Sequence, residues 1–315
     1  MDSIREFFVR SFQTAYGIPV EWQGCNRPLD YLMREEEAGI PYADVIHSSG
    51  ISDFLVVRDL GVLSPYRPKA AEKIDPALRH LLADPNDYWF ALRMSTLVIV
   101  YDAEKVGPDE APRSWRDLLD PRWKNRITVA HPGYTPSALA FTHAIRRTVA
   151  DDYFDRLAGN APLVGPNQTN IIMAGQAQLG VGAHDSEGYY FSKYGQPLQL
   201  VYPTEGAPLI VSPQALMKSA PYPNAAKLFI EHTMSREIQQ RLVRISGWHS
   251  PRSDVQSPDD AKALSQIKTI AVDAADLMVR ERDVVSAFTR VYGTRVVPAD
   301  RVARPFTARA IPNEW

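Results

Sequence analysis

The chain has 315 residues, 45% hydrophobic and 23% charged, with 35 basic against 37 acidic side chains, which is ordinary globular composition with room for two domains. A balanced charge without a basic stripe argues against a dedicated nucleic-acid binder, and a single cysteine, Cys25, excludes an intrachain disulfide or a cysteine-built metal cluster. No apolar run approaches the roughly 18 residues needed to cross a membrane; the longest, LVIVY at 97–101, is strand-sized.

The opening MDSIREFFVRSFQTAYG sets Ile4, Phe7, Phe8 and Phe12 on one face and predicts a helix over about 2–15. It has neither the basic start nor the continuous apolar centre of a signal peptide. IPVEW (18–22) reads as a strand, RPLDYLMREEEA as a helix over about 27–37, and ADVIH (43–47) as a second strand. After Ser48-Ser49-Gly50 a helix covers about 51–60, followed by an irregular stretch to 86. YWFALRMSTLVIVYD (88–102) is strand-rich, with β-branched residues crowded at its end. Next come a helix around 114–119, strand ITVA (127–130) and a helix over about 137–150. Helix 170–176 leads to strand QLGVGA (178–183), then LQLVYP (198–203) forms another strand. The last third reads as helical over about 223–235, 235–245 and 258–291, and the tail from Val296 to Trp315 has three prolines and no periodicity.

Strand–helix alternation predicts parallel sheets with helices on both faces, arranged as two α/β lobes. The strand-rich stretches 95–102 and 198–204 bracket a middle block. If both are crossovers, residues 1–96 and 204–315 form one discontinuous lobe, residues 97–203 form the other, and a ligand cleft lies between them.

Three segments carry a family resemblance. They are ADVIHSSGISDFLVVRDLGVLSPYRP (43–68), APRSWRDLLDPRWKNRITVAHPGYTPSALAF (111–141) and VYPTEGAPLIVSPQALMKSAPYPNAAKLFIEHTMSREIQQ (201–240). Together they resemble bacterial family 1 extracellular solute-binding proteins, the receptors of ABC importers for ferric iron, phosphonates, thiamine and sugar phosphates. The resemblance implies a two-lobed type II periplasmic-binding-protein fold with two crossover hinge strands, closing on a small-molecule solute. It also implies a periplasmic, monomeric receptor that needs no cofactor and hands its solute to an inner-membrane ABC permease. The family begins with a signal peptide and a strand before the first helix, so the expectation here is a start that lacks both. The first sheet would then lack its opening strand and leave helix 2–15 partly uncovered.

Candidate ligand contacts lie where strand ends run into helix starts: Ser48 and Ser49; Thr135 and Ser137, with Thr135 placed as N-cap and Pro136 at the first helical position; and His184, Asp185 and Ser186. Taken singly, each is an ordinary cap. Helix starts from two lobes facing one cleft would instead offer free N–H groups and positive dipole ends to an anion. Asp185 would repel a bare anion but accept from an ammonium or hydroxyl. Arg93 offers a planar fork to a phosphate or carboxylate, or forms an inter-lobe salt bridge. Glu205 in the second crossover is a hinge residue or a hydroxyl acceptor. His47, His131 and His184 each end a predicted strand, where they either pack beneath a loop or reach the cleft.

GAHDSEGYYFSKYG (182–195) looks like a metal site, because adjacent tyrosines suit ferric iron. If Asp185 begins a helix, however, Tyr189 and Tyr190 lie about a turn further on and point roughly 100° apart, so they cannot both join Asp185 around one ion. The expected function is therefore capture of an anionic or zwitterionic organic solute. A ferric-iron receptor is the alternative within the family, and an enzyme on this fold lies outside it. No Gly-rich phosphate loop, GxSxG or HExxH motif supports catalysis. A transcription-regulator effector domain would need a helix-turn-helix for which the first 20 residues leave no room.

Overall fold

The structure is a computed structural model that describes residues 2–24, 28–39 and 43–294. Cys25 and the tail from Val296 lie outside the described residues. Helix α1 (Asp2–Tyr16) buries Phe7, Phe8 and Phe12 against α9 (Pro223–Thr233) and α10 (Arg236–Ser246), with Leu92 and Trp248 in the same cluster. Its apolar face is thus covered, contrary to the expectation of a partly uncovered helix. The strand expected over 18–22 does not form. A strand needs a ladder partner, and Trp22 instead stacks on Phe8 and meets His47 edge-on.

The remaining elements follow in chain order. Helix α2 (Pro28–Ala38), β1 (Val45–His47), α3 (Ile51–Asp59), β2 (Leu63–Ser64) and the short α4 (Arg79–Leu82) lead to β3 (Phe90–Asp102). Then come β4 (Ile127–Ala130), α5 (Pro136–Thr148), α6 (Tyr153–Leu157), β5 (Leu163–Gly165), α7 (Gln168–Met173), β6 (Leu179–His184), α8 (Asp185–Lys193) and β7 (Leu198–Val201). The chain returns along β8 (Ala207–Met217) to α9 and α10, passes β9 (Thr269–Ile270) and ends in α11 (Ala274–Tyr292). Among the described residues, no helix is long and apolar enough to cross a membrane.

Strand β3 organises the molecule. All thirteen of its residues are buried, and it changes partners halfway. From Phe90 to Thr96 it pairs antiparallel with β8, and from Leu97 to Asp102 with β6 and β7. The far end of β8 carries β1 and β2, whereas β6 continues to β4 and β5, giving the order β1-β8-β3-β6-β4-β5. The sheet is mixed rather than parallel. Strand β4 is parallel to β5 and β6, but the two long strands run antiparallel to most of their neighbours because each passes from one half to the other.

Pattern reading misses β8, because Pro208 and Pro213 lie inside it and proline normally breaks a ladder. Here Pro213 sits opposite Ala91, beside a register shift that leaves Leu92 extra, so a bulge absorbs the missing N–H. The helix expected over 258–291 is only α11. Turns and β9 precede it, and Asp273 caps it by accepting from Asp276 N–H at 2.9 Å.

The core has separate clusters at the two ends of β3. Phe90, Ala91 and Met94 pack with Leu209, Val211, Leu216 and Ile230. Leu97 and Ile99 pack with Trp115, Trp123, Phe141 and Tyr153, and Leu277, Val284 and Phe288 of α11 join this second group. Helix α11 also lies against α3. It therefore spans both halves, and its three buried side chains contribute about 2 kcal/mol each.

Candidate functional site

Of the strand ends singled out from the sequence, two touch each other and the third is bonded to β3 where it changes partners. At the end of β1, Ser48 N–H donates to the Pro213 carbonyl at 3.3 Å and Ser48 Oγ donates to Asp53 Oδ2 at 2.8 Å. The β4–α5 corner is built as its spacing predicts, with Thr135 Oγ1 accepting from Ala138 N–H at 3.2 Å and lying 3.2 Å from Ser137 Oγ. These two helix starts touch: a Cβ on Gly50 would lie 2.7 Å from Pro136 Cβ. Ser49 lines a cavity of about 30 Å³ between them and α11, with Ile51, Ala140 and Leu277.

The third corner is bound to the hinge itself. His184 Nδ1 lies 2.6 Å from Ser95 Oγ. Asp185 is 2% exposed, and both of its oxygens are occupied. Oδ1 accepts from Thr96 N–H at 3.0 Å and Ser186 N–H at 2.8 Å, while Oδ2 accepts from Thr96 Oγ1 at 2.6 Å and pairs with His249 Nε2 at 2.9 Å. Asp185, expected to orient the ligand, has its acceptor capacity taken up here by the chain's own groups. It ties the start of α8 to β3 and to the chain beyond α10, with no lone pair left over. Glu205, expected as a hinge residue or a hydroxyl acceptor, accepts from Trp115 N–H at 3.0 Å and Arg116 N–H at 3.2 Å at the turn Arg116–Leu119.

Arg93 differs from both. It is 8% exposed and its guanidinium carbon lies 4.0 Å from the centre of the Trp248 ring. Among the described residues no carboxylate forms an ion pair with it, and its Nε is buried without a hydrogen-bond partner. Burial pulls its pKa down to about 10, against the opposing influence of the nearby Glu187 charge. Ser212, opposite Arg93 in the ladder, and Ser186 at the start of α8 also bury hydroxyls without partners among the described residues. Donors left unsatisfied in this way cost free energy that a ligand oxygen would recover. Trp248 was not singled out from the sequence; the only signal is its place just after Gly247, the left-handed cap of α10.

His47 Nδ1 lies 2.9 Å from the Pro213 carbonyl, and His131 Nδ1 accepts from Gly133 N–H at 3.0 Å. Among the described residues, no three His, Cys, Asp or Glu side chains group as a metal set. Tyr189 OH donates to Asp260 Oδ1 at 2.9 Å, its ring covers Gly247, and burial pushes the phenol well up, away from phenolate. Tyr190 packs beside Phe191 and Tyr194.

Burial lowers the pKa of His47 from its ordinary 6.5 to about 3, with Arg93 adding to the effect, and lowers those of His131, His184 and His232. Between pH 6.5 and 5 the unfolded chain takes up protons that the folded chain refuses, so stability falls as pH falls. For His47 the loss continues toward pH 3. Urea midpoints at pH 7 and pH 5 test this; an equal or higher midpoint at pH 5 would contradict it.

Two halves joined by two long strands, with helix starts meeting at the joint, define a two-lobed solute receptor of the type II periplasmic-binding-protein fold. Residues 41–277 match the family model of bacterial extracellular solute-binding proteins, and the chain belongs to that family. It is 30% identical over 247 residues, 75% of this chain and 70% of the relative, to an uncharacterized Haemophilus influenzae protein. It is 23% identical to the major ferric iron-binding protein of Neisseria meningitidis serogroup A, covering 86% of this chain and 84% of that one. The periplasmic binding protein AfuA from Actinobacillus pleuropneumoniae, solved with exogenous fructose-6-phosphate bound, superposes with a TM-score of 0.83 at 20% identity, over 94% of this chain and 97% of that chain. Family and fold are those of transport binding proteins rather than enzymes.

Proposed function

We propose that this protein is the receptor of an ABC importer that captures a small anionic or zwitterionic organic solute and presents it, as a monomer in the periplasm, to an inner-membrane permease. Arg93 carries the reading. It is a buried cation with an unsatisfied Nε and an aromatic platform, but no carboxylate paired to it among the described residues. Such a group is costly unless an anion arrives. Ser48, Ser49, Thr135, Ser137 and Ser186, at the strand ends and helix starts, would supply hydroxyls and helix-start N–H groups, with His184 beside them. Residues 1–96 and 204–315 act as one lobe and 97–203 as the other, with α11 as a strap from the first lobe onto the second.

Among relatives, the bound fructose-6-phosphate of AfuA has the required acid group. The ferric iron-binding relative suggests a metal ligand, but a bare ferric ion would be repelled by the Arg93 charge. Native mass spectrometry of protein purified without refolding, followed by a thermal-shift screen of organic acids and phosphate esters, tests the reading. A binder at a hundredfold excess over its Kd stabilises by about 2.7 kcal/mol. Stabilisation by ferric salts alone, with no organic anion bound or stabilising, would overturn it.

A further inference from the structure

We infer that His47 reads a hydrogen-bond donor on the solute next to the acid group held by Arg93. The solute class is then an acid bearing a neighbouring hydroxyl, amine or protonated phosphate oxygen. This rests on the anion reading above and narrows it.

The Pro213 oxygen, 2.9 Å from His47 Nδ1, can only accept, so Nδ1 must carry the proton. A neutral imidazole has one N–H, which leaves Nε2 as a bare acceptor. Burial and the charge of Arg93 keep the ring neutral at physiological pH. The lock is made of backbone: His47 pairs with Gln214 in the ladder, and the same Pro213 carbonyl also receives Ser48 N–H. The tautomer is therefore set by strand register, not by a mobile side chain.

Nε2 has no hydrogen-bond partner among the described residues, and the ring meets Trp22 edge-on. His184 offers no equivalent, because its neighbour is the Ser95 hydroxyl, which can donate or accept and so leaves the tautomer open. Glu187, the carboxylate nearest in influence to Arg93, already accepts from Asn167 Nδ2 at 3.2 and 3.1 Å. His47 and Arg93 face Gln214 and Ser212, two positions apart on β8, so both lie on the same face of the sheet on either side of that strand. A donor fork and one fixed neutral acceptor on that face favour molecules carrying an acid oxygen and a hydrogen donor side by side. An analogue without the donor leaves Nε2 dehydrated and unpaired.

Two measurements on the full chain test this. Long-range 1H–15N correlation spectra of the unliganded protein between pH 5 and 7 should show His47 with a protonated Nδ1 and a bare Nε2; a protonated Nε2 overturns the inference. Calorimetry then compares matched probes, lactate against propionate and glycerol 3-phosphate against propyl phosphate. The donor-bearing member of a pair should bind at least about tenfold more tightly. His47→Asn, which keeps an N–H for Pro213 but deletes the outer acceptor, should collapse that difference, and His47→Gln, which restores an outer acceptor, should recover part of it. Equal affinity within both pairs, lost in Arg93→Gln, would sink the His47 inference and leave the anion reading standing. Failure of every probe to bind the wild type would overturn both.

Discussion

Arg93→Gln weakens capture of an anionic solute by about two to three orders of magnitude, because truncating one side of a buried charge pair costs about 2–5 kcal/mol. The same change should raise the thermal midpoint of the unliganded protein, since glutamine removes a desolvated cation that has no ion pair among the described residues. Opposite signs for binding and stability mark a residue kept for its ligand. Arg93→Lys should fall between the two in affinity, retaining charge but losing the planar fork and the favourable stacking on Trp248. Titration calorimetry with the best-stabilising solute reads the loss. An affinity for Arg93→Gln within threefold of wild type would remove Arg93 from the site.

Asp185→Ala should cost about 3–5 kcal/mol of folding stability, the range for breaking a buried charged network from one side. Four donor groups lose their acceptor at once: Thr96 N–H, Thr96 Oγ1, Ser186 N–H and His249 Nε2. They come from β3, from α8 and from the segment after α10, so the loss loosens the joint itself. Tyr189→Phe, which gives up the hydroxyl's bonds to Asp260 and Lys193, should cost only about 1–2 kcal/mol. Urea denaturation of both variants checks the contrast. A cost below about 1 kcal/mol for Asp185→Ala would mean that these bonds do not hold the joint.

The two variants separate side chains that look alike in the sequence. Arg93, Asp185 and Glu205 are all charged residues beside expected crossovers, and each was a ligand candidate. Asp185 proves saturated by its own chain and Glu205 caps a turn, whereas Arg93 has no ionic partner among the described residues. The difference lies in partners 89 to 90 positions away in the chain, which no local pattern encodes.

What the sequence determined by itself is local. Apolar spacing set most helices and strands, Thr135 with Pro136 announced the start of α5, and helical geometry separated Tyr189 from Tyr190. These follow from side-chain periodicity and from N–H groups that need a cap within three residues. Only the tertiary structure decided the rest. Residues 18–24 stay out of the sheet because no ladder partner takes them up, and β8 holds two prolines because a bulge in β3 accommodates one of them. A buried polar group must be satisfied by whatever the fold brings to it. The same carboxylate or guanidinium is therefore a clasp or a binding group according to whether distant segments supply its complement.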